Sequence, residues 1–375
     1  MTWEQFEPDW SPGDVDAASV WAACGGQLLT DPEVAVPSGL VNGVAGVAAY
    51  LDRVGAGLSD RYGSHGLRVL TERAATRQLR ASGRVSSRAS VGGASRLVRC
   101  VDGWIAVSLP RPDDFAAVPA WLQTEACDWS AVETALASAT VASTVERAGW
   151  LGIACAAVGE RAAQGSGIQV ESLGAASPKP VAELVVANLA SLWAGPLAAD
   201  VLARCGARVI TVESTSRPDG ARAWPVFFDD LHSRCDFVAL DFADEVGRRQ
   251  LAELLHSVDV VIEGSRPRAL EQLGIDAREV TNQGPQLWVS ITGHGRDEPH
   301  ANRIGFGDDA AAAGGLVGWV NGEPRFLADA VADPITGLAA AAAVVQLAAS
   351  GGRWLVDAPL AAVAASHAGM PASNS

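Results

Sequence analysis

Asp333 and Pro334 stand at the head of an alanine-rich run, the arrangement of a helix N-cap with proline in the first turn. A carboxylate so placed lies in the positive field of a helix N-terminus, which favours its ionised form. Other acids and bases read more blandly. Asp308-Asp309 has the form of a solvated pair or a cap, and His294, between Gly293 and Gly295, that of a surface loop residue. Arg222, Arg234, Arg266 and Arg268, taken singly, read as solvated surface arginines. Glu213 ends a predicted strand at the place where an acid would meet a dinucleotide ribose. The turn before that strand, Ser191-Leu192-Trp193-Ala194-Gly195-Pro196, is not the GxGxxG such a cofactor requires. The six histidines never sit at metal-ligand spacing, and Cys24, Cys100, Cys127, Cys155, Cys205 and Cys235 form no CxxC pair. No metal and no resident cofactor are therefore expected.

The elements that must position these residues alternate in type. Residues 182–189 predict a buried strand, and Gly195-Pro196 opens a helix that runs to about Cys205 and stops at Gly206, a suitable C-terminal cap. Strands are predicted over 208–213, 237–240, 258–262 and 287–291, with a helix over 245–255. Such alternation implies a parallel sheet with helices on both faces. Upstream, 97–100 and 104–109 read as two strands around an Asp102-Gly103 turn, with helices after them over 116–122 and 130–148. Residues 40–58 read as one helix, and 165–180, poor in large apolar residues, as a linker. The expected architecture is α/β. It has a Rossmann-like parallel sheet flanked by helices over 181–375, a small α+β domain over 85–165 and a helical segment over 1–80.

Composition narrows the function class. An apolar share of 49% with 19% charged residues suits large buried cores rather than disorder. The net charge of −15 argues against nucleic acid and anionic membrane surfaces as partners, while leaving room for a small anionic ligand on a local basic patch. Residues 1–9 hold Glu4, Glu7 and Asp9 and no apolar run, so no signal peptide is expected there. The apolar stretch 337–348 is shorter than the ~20 residues of a membrane span and reads as a buried helix. Free thiols and a cytoplasmic protein follow as expectations.

Many ordered blocks carry a resemblance. Leu192-Trp193-Ala194-Gly195-Pro196 is followed by Leu202-Ala203-Arg204-Cys205-Gly206-Ala207-Arg208-Val209-Ile210-Thr211-Val212-Glu213, Asp219-Gly220-Ala221-Arg222 and Val238-Ala239-Leu240-Asp241. Then come Glu263-Gly264-Ser265-Arg266-Pro267, Leu287-Trp288-Val289-Ser290-Ile291-Thr292-Gly293-His294-Gly295 and Ala332-Asp333-Pro334-Ile335-Thr336-Gly337. Over roughly 183–350 this resembles the family III CoA-transferases, which include the α-methylacyl-CoA racemases. Residues 99–107 and 148–155 resemble a later part of the same family, so the family's later portion comes first here. Ala22 to Val47 parallels Ala312 to Leu338, which sets Asn42 in the place of Asp333 and predicts that 17–58 and 308–349 pack as a pseudo-twofold pair.

The resemblance implies a CoA-transferase acting on acyl-CoA, with CoA as substrate and with two interlocked chains in a homodimer. It makes Asp333 the nucleophile that attacks the thioester. Leu192, Trp193, Ala194, Arg222, Gly264, Ser265, Arg266 and His294 become the substrate-binding positions. Where the racemases carry a histidine this chain carries Phe306, which cannot shuttle a proton, so racemization would need His294 or Asp308 instead. Basic residues usual before the strand at 237–240 are replaced by Cys235 and Asp236, leaving Arg222, Arg234, Arg266 and Arg268 as candidate phosphate partners. A non-catalytic paralogue that binds acyl-CoA or a partner chain is the alternative.

Overall fold

The strands that build the site are short, apolar and two-faced. In Leu287–Ser290, Leu287 and Val289 join one hydrophobic core while Trp288 joins another on the opposite face, as the period-2 alternation of a strand requires. Val260 and Ile262 against Val261 repeat the pattern next door. In the computed structural model, which describes residues 3–76, 87–125 and 128–369, these strands lie in an eight-stranded sheet.

In chain order the strands are β1 (Glu4–Gln5), β2 (Ser95–Arg99), β3 (Trp104–Ser108), β4 (Ala154–Ala157), β5 (Gln169–Gly174), β6 (Val185–Asn188), β7 (Arg208–Ser214), β8 (Cys235–Leu240), β9 (Val260–Glu263), β10 (Leu287–Ser290), β11 (Gly318–Val320), β12 (Glu323–Arg325) and β13 (Arg353–Asp357). The large sheet runs β1-β5-β13-β10-β9-β6-β7-β8. Its strands from β13 to β8 are parallel, and β5 and β1 are added antiparallel at one edge. From β6 the chain first steps outward through β7 and β8, then returns to the other side of β6 as β9. The carboxyl ends of β6 and β9 therefore border a topological switch point, the crevice where open α/β sheets take ligands.

Helices cover both faces. One face carries Glu245–Ser257 and Ala277–Gln283 over Ile210, Val261, Trp288 and Leu355. The other carries Ala194–Arg204, Gly307–Ala313, Ala332–Ser350 and Leu360–Ala368. Apart from Asp333, Gln346 and its exposed last residues, Ala332–Ser350 is apolar on every side, as a largely enclosed helix is. Among the described residues it is the one helix long and apolar enough to cross a membrane, and 83% of its apolar window is buried inside this core. The second small sheet, β2-β3-β4, packs one face on helices Pro112–Leu122, Trp129–Leu136 and Val141–Leu151. Its other face, from Leu97 and Ala106, meets Ala312 of the helix Gly307–Ala313.

The sequence reading needs correction in places. Residues 165–180 are not a linker, because β5 pairs with β13 along its length. The 130–148 helix is two, broken by Thr140, which caps the second through Ser143 N–H. The hairpin β11–β12 and the strand β13 were not foreseen. Nor is 1–80 a separate body: Trp21, Leu40, Val44 and Leu51 share one core with Leu338 and Val344. The helix Ser38–Arg53 does pack on Ala332–Ser350. Yet Asn42 is the fifth residue of its helix while Asp333 is the second of its own, and the Asn42 side chain accepts from Val15 N–H. The Asn42–Asp333 pairing therefore does not extend to the starts of the two helices. Among the described residues Cys24, Cys100, Cys155, Cys205 and Cys235 form no disulfide, and Cys127 lies outside the described residues.

Candidate active site

Asp333 is no N-cap. The cap is Val331, Asp333 follows Ala332 in the first turn, and Pro334 comes third, where its missing N–H is harmless. Two close approaches fix the surroundings of its carboxylate. A Cβ on Gly307 would lie 2.5 Å from Asp333 Oδ2 and 2.5 Å from the Ala330 carbonyl oxygen, so the absent side chain is what makes room for the acid. One turn further on, a Cβ on Gly337 would lie 2.6 Å from the carbonyl oxygen of Ala194, which sets the Ala194–Arg204 helix directly against the Asp333 helix. Residues four apart share a helix face, so Asp333 and the Leu192-Trp193-Ala194 turn border the same space. Gly307→Ala is expected to destabilise the fold by ~1–3 kcal/mol, as overpacking against backbone does. It should also reduce any activity of Asp333 more than it reduces the folded fraction, which denaturant titration alongside activity would separate.

The turn before Asp333 is strained. Ala328 and Ala330 both have left-handed φ, 50° and 48°, costing roughly 1–2 kcal/mol each for a residue with a Cβ. Hydrogen bonds hold it: Ala328 N–H donates to Thr30 Oγ1 at 3.3 Å and Ala330 N–H to Asp308 Oδ1 at 2.9 Å. Between them Asp329, fully buried, takes a two-pronged ion pair from Arg73, Nε to Oδ2 at 2.9 Å and a terminal nitrogen to Oδ1 at 2.6 Å. The Arg73 guanidinium lies 4.9 Å from the centre of the Trp193 ring.

Asp308 and Asp309 are buried, not solvated. The strand alternation in β2 and β3 aims Ser95 and Ser108 at them. Ser95 Oγ donates to Asp308 Oδ2 at 3.0 Å, the two serine oxygens are 2.9 Å apart, and Ser108 Oγ meets Asp309 Oδ1 at 2.6 Å. Three links need three protons and two hydroxyls supply two. With both acids ionised, the serine–serine contact would hold no hydrogen, so the chain closes when the acid pair retains one proton. Burial pushes Asp309 up to about 7 and raises Asp308 as well, with Asp329 adding to the latter. Asp333 is also pushed up to about 7, first by burial, with Arg73 opposing and Asp308 and Asp329 reinforcing.

The other predicted positions divide. Leu192 has a left-handed φ of 71°, and its N–H is held by both oxygens of Asp219 at 3.0 and 3.1 Å. Trp193 is fully buried, edge-on to Phe227. Gly264 packs against Ala190 across the switch point, and Ser265 N–H donates to Glu263 at 2.7 Å. These residues and Arg266 thus gather at the carboxyl ends of β6 and β9. Arg222 is committed to Glu213 and stacks over Phe228, and Arg234 pairs with Asp200. His294 is buried rather than in a surface loop. Burial holds it well below the usual imidazole range, its Nδ1 is 3.8 Å from Glu160, and the charges that bear on Asp333 come from elsewhere. Arg73, Asp329, Ser95, Ser108 and Gly307 were not singled out from sequence. Arg73 and the serines lie far from Asp333 in the chain, and only the fold joins them.

A Rossmann-like parallel sheet with a carboxylate at a helix start beside its switch point defines a class, and comparison with known proteins gives the family. Residues 181–367 match CoA-transferase family III, and by that match this part of the chain belongs to the family. A succinyl-CoA–D-citramalate CoA-transferase of Chloroflexus aurantiacus is 28% identical over 196 residues, 48% of this chain and 49% of that protein. A succinyl-CoA:glutarate CoA-transferase of Mus musculus is 30% identical over 181 residues, 45% and 42% respectively. The chain thus spans less than half the length of these curated relatives. Among solved structures, a hypothetical protein from Mycobacterium tuberculosis aligns with a TM-score of 0.46 at 27% identity, covering 51% of this chain and 56% of that one. A CAIB/BAIF family protein from Brucella suis gives 0.44 at 29%, covering 50% and 55%.

Proposed function

We propose that this chain transfers CoA between an acyl-CoA thioester and a carboxylic acid, with Asp333 as the nucleophile. The observation that carries the reading is the Asp333 carboxylate. Asp308, Asp309 and Asp329 all accept hydrogen bonds, whereas Asp333 accepts none among the described residues. It is the acid left free to react. A carboxylate oxygen attacks the thioester carbon, the C–S bond breaks, and CoA leaves as thiolate, forming a mixed anhydride. The thiolate attacks the aspartyl carbonyl, the donor acid leaves as carboxylate, and an aspartyl-CoA thioester remains. An acceptor carboxylate then repeats the two steps in reverse order, regenerating Asp333 and releasing the new acyl-CoA.

In this reading the CoA moiety lies at the switch point, where open α/β sheets take their ligands. Arg266 is drawn below the usual guanidinium range by burial and by the neighbouring charges of Arg268, Arg111 and Arg217. Among the described residues Arg266, Arg268 and Arg217 have no acidic partner, and crowded like charges are relieved by a phosphate. Arg266→Ala should weaken CoA binding by about tenfold or more, the loss of one charge-assisted bond. Calorimetry reads it directly, and unchanged affinity would remove Arg266 from the site.

A second reading, binding without turnover, draws on the replaced basic positions. Asp236 pairs with Arg208, and Cys235 carries no charge. Thermal stabilisation by CoA esters with no exchange of labelled acid would favour it. Racemization has less support, because Phe306 stands in the proton-shuttling position. The experiment that tests the proposal is exchange of isotopically labelled succinate or glutarate into their CoA esters.

A further inference from the structure

We propose that Arg73, from the part of the chain before the family match, is a positioning residue for Asp333, joining the CoA turn to the nucleophile turn through Asp329 and Trp193. The inference rests on the reading of Asp333 as nucleophile, but its test does not depend on turnover.

The geometry runs in one line. The guanidinium carbon of Arg73 lies over the ring of Trp193, whose neighbours Leu192 and Ala194 form the turn at the switch point. Its fork grips Asp329 with two bonds, and Asp329 sits between the two left-handed alanines. The Ala330 carbonyl accepts the Asp333 N–H at 2.9 Å and also lies against Gly307. Two strained residues persist only where the surroundings over-determine them. The Arg73–Asp329 pair, with Asp329 buried and Arg73 largely so, is the strongest of those restraints, and a planar fork is what a two-pronged grip requires. Anything that loosens this grip frees the Ala328–Ala330 turn and with it the direction of the Asp333 carboxylate. The charges that face Asp333 are Arg73 on Val69–Thr76, Asp308 on Gly307–Ala313 and Asp329 on the turn. Arg73 is the sole cation of that set, so it both aims the carboxylate and favours its ionised form.

The test is the titration of Asp333, followed by NMR of its labelled carboxyl carbon in the full chain and assigned through Asp333→Asn. Asp329→Asn keeps the shape and removes one of the two like charges acting on Asp333 while Arg73 remains, so the midpoint should fall by about one unit. Arg73→Met should raise it by a similar amount. That second variant leaves Asp329 buried without its partner and risks misfolding, so Arg73→Lys is the third arm. Lysine keeps the charge but not the fork; the midpoint should stay within a few tenths while CoA exchange falls by about tenfold or more at saturating substrate. A purely structural role would move the first two midpoints in the same direction, or neither. That outcome, or full exchange in Arg73→Lys, overturns the proposal. If the parent shows no exchange at all, the nucleophile reading fails instead, and the opposite midpoint shifts still decide whether Arg73 governs Asp333.

Discussion

Asp333→Ala should abolish CoA exchange, lowering the rate by roughly a thousandfold or more, as loss of a covalent nucleophile does, while the circular dichroism spectrum and denaturant midpoint stay near those of the parent. The fold should tolerate it because the Asp333 carboxylate bonds to nothing among the described residues, and its desolvation beside two other acids is a burden on the native state rather than a support. Removing it relieves repulsion from Asp308 and Asp329, the groups that raise its protonation range. Hydroxylamine, which intercepts activated acyl groups, should mark the parent in the presence of acyl-CoA and leave the alanine variant unmarked. Retained turnover in the variant would return Asp333 to a structural role. Because Asp333 is pushed up to about 7, exchange should also climb as pH rises through that value, since only the ionised form attacks.

The second large effect is on stability. Asp309 titrates near 7 in the folded chain and near 3.8 when exposed. The sign follows from which state holds the proton. Below about 3.8 both states are protonated and nothing is lost. Between 3.8 and 7 the folded state keeps a proton that the unfolded state releases, so stability falls with rising pH, by ~1.4 kcal/mol per unit for one proton. Across the whole interval that amounts to roughly 4 kcal/mol for this fully buried group, an order-of-magnitude figure. Above 7 the loss is complete. Asp357, Glu263 and Asp333 are raised in the same direction by burial, so the parent's dependence should be steeper than one proton. The difference between parent and Asp309→Asn isolates the shared proton of the Asp308–Ser95–Ser108–Asp309 chain. Urea titrations at intervals from pH 4.5 to 7 should show the variant's slope reduced by about one proton. Equal slopes would mean that the pair is fully ionised in the folded state.

How much of this was legible in the sequence depends on distance along the chain. The β6 to β10 units could be read because each strand and its helix are local patterns, closed by signals such as Gly206 with its φ of 98°. The strand β13 was missed because Arg353-Trp354-Leu355-Val356-Asp357 is flanked by alanine-rich helix on both sides, with no alternation to mark it. The strand β5 was missed because a strand next to the sheet edge and half open to solvent, Gln169–Gly174, has the composition of a loop. At the site, Asp333 and the Leu192–Ala194 turn were found through the family resemblance, not through any pattern of their own. Asp308-Asp309 looked solvated because two adjacent acids usually are; only the serines of a distant sheet bury them. Arg222 looked like a phosphate partner until Glu213, nine residues earlier, was seen to occupy it. Asp329 and Arg73 are separated by 256 positions, and a one-dimensional reading has no means of joining them.

The most direct test of the central claim is mass spectrometry of the protein quenched in acid during incubation with succinyl-CoA. If Asp333 is the nucleophile, a fraction of the parent chain carries the mass of CoA less one water, and after digestion that mass maps to the peptide holding Asp333. Asp333→Ala carries none. An adduct on another residue, or exchange of CoA with no adduct in the parent at any quench time, would contradict the account.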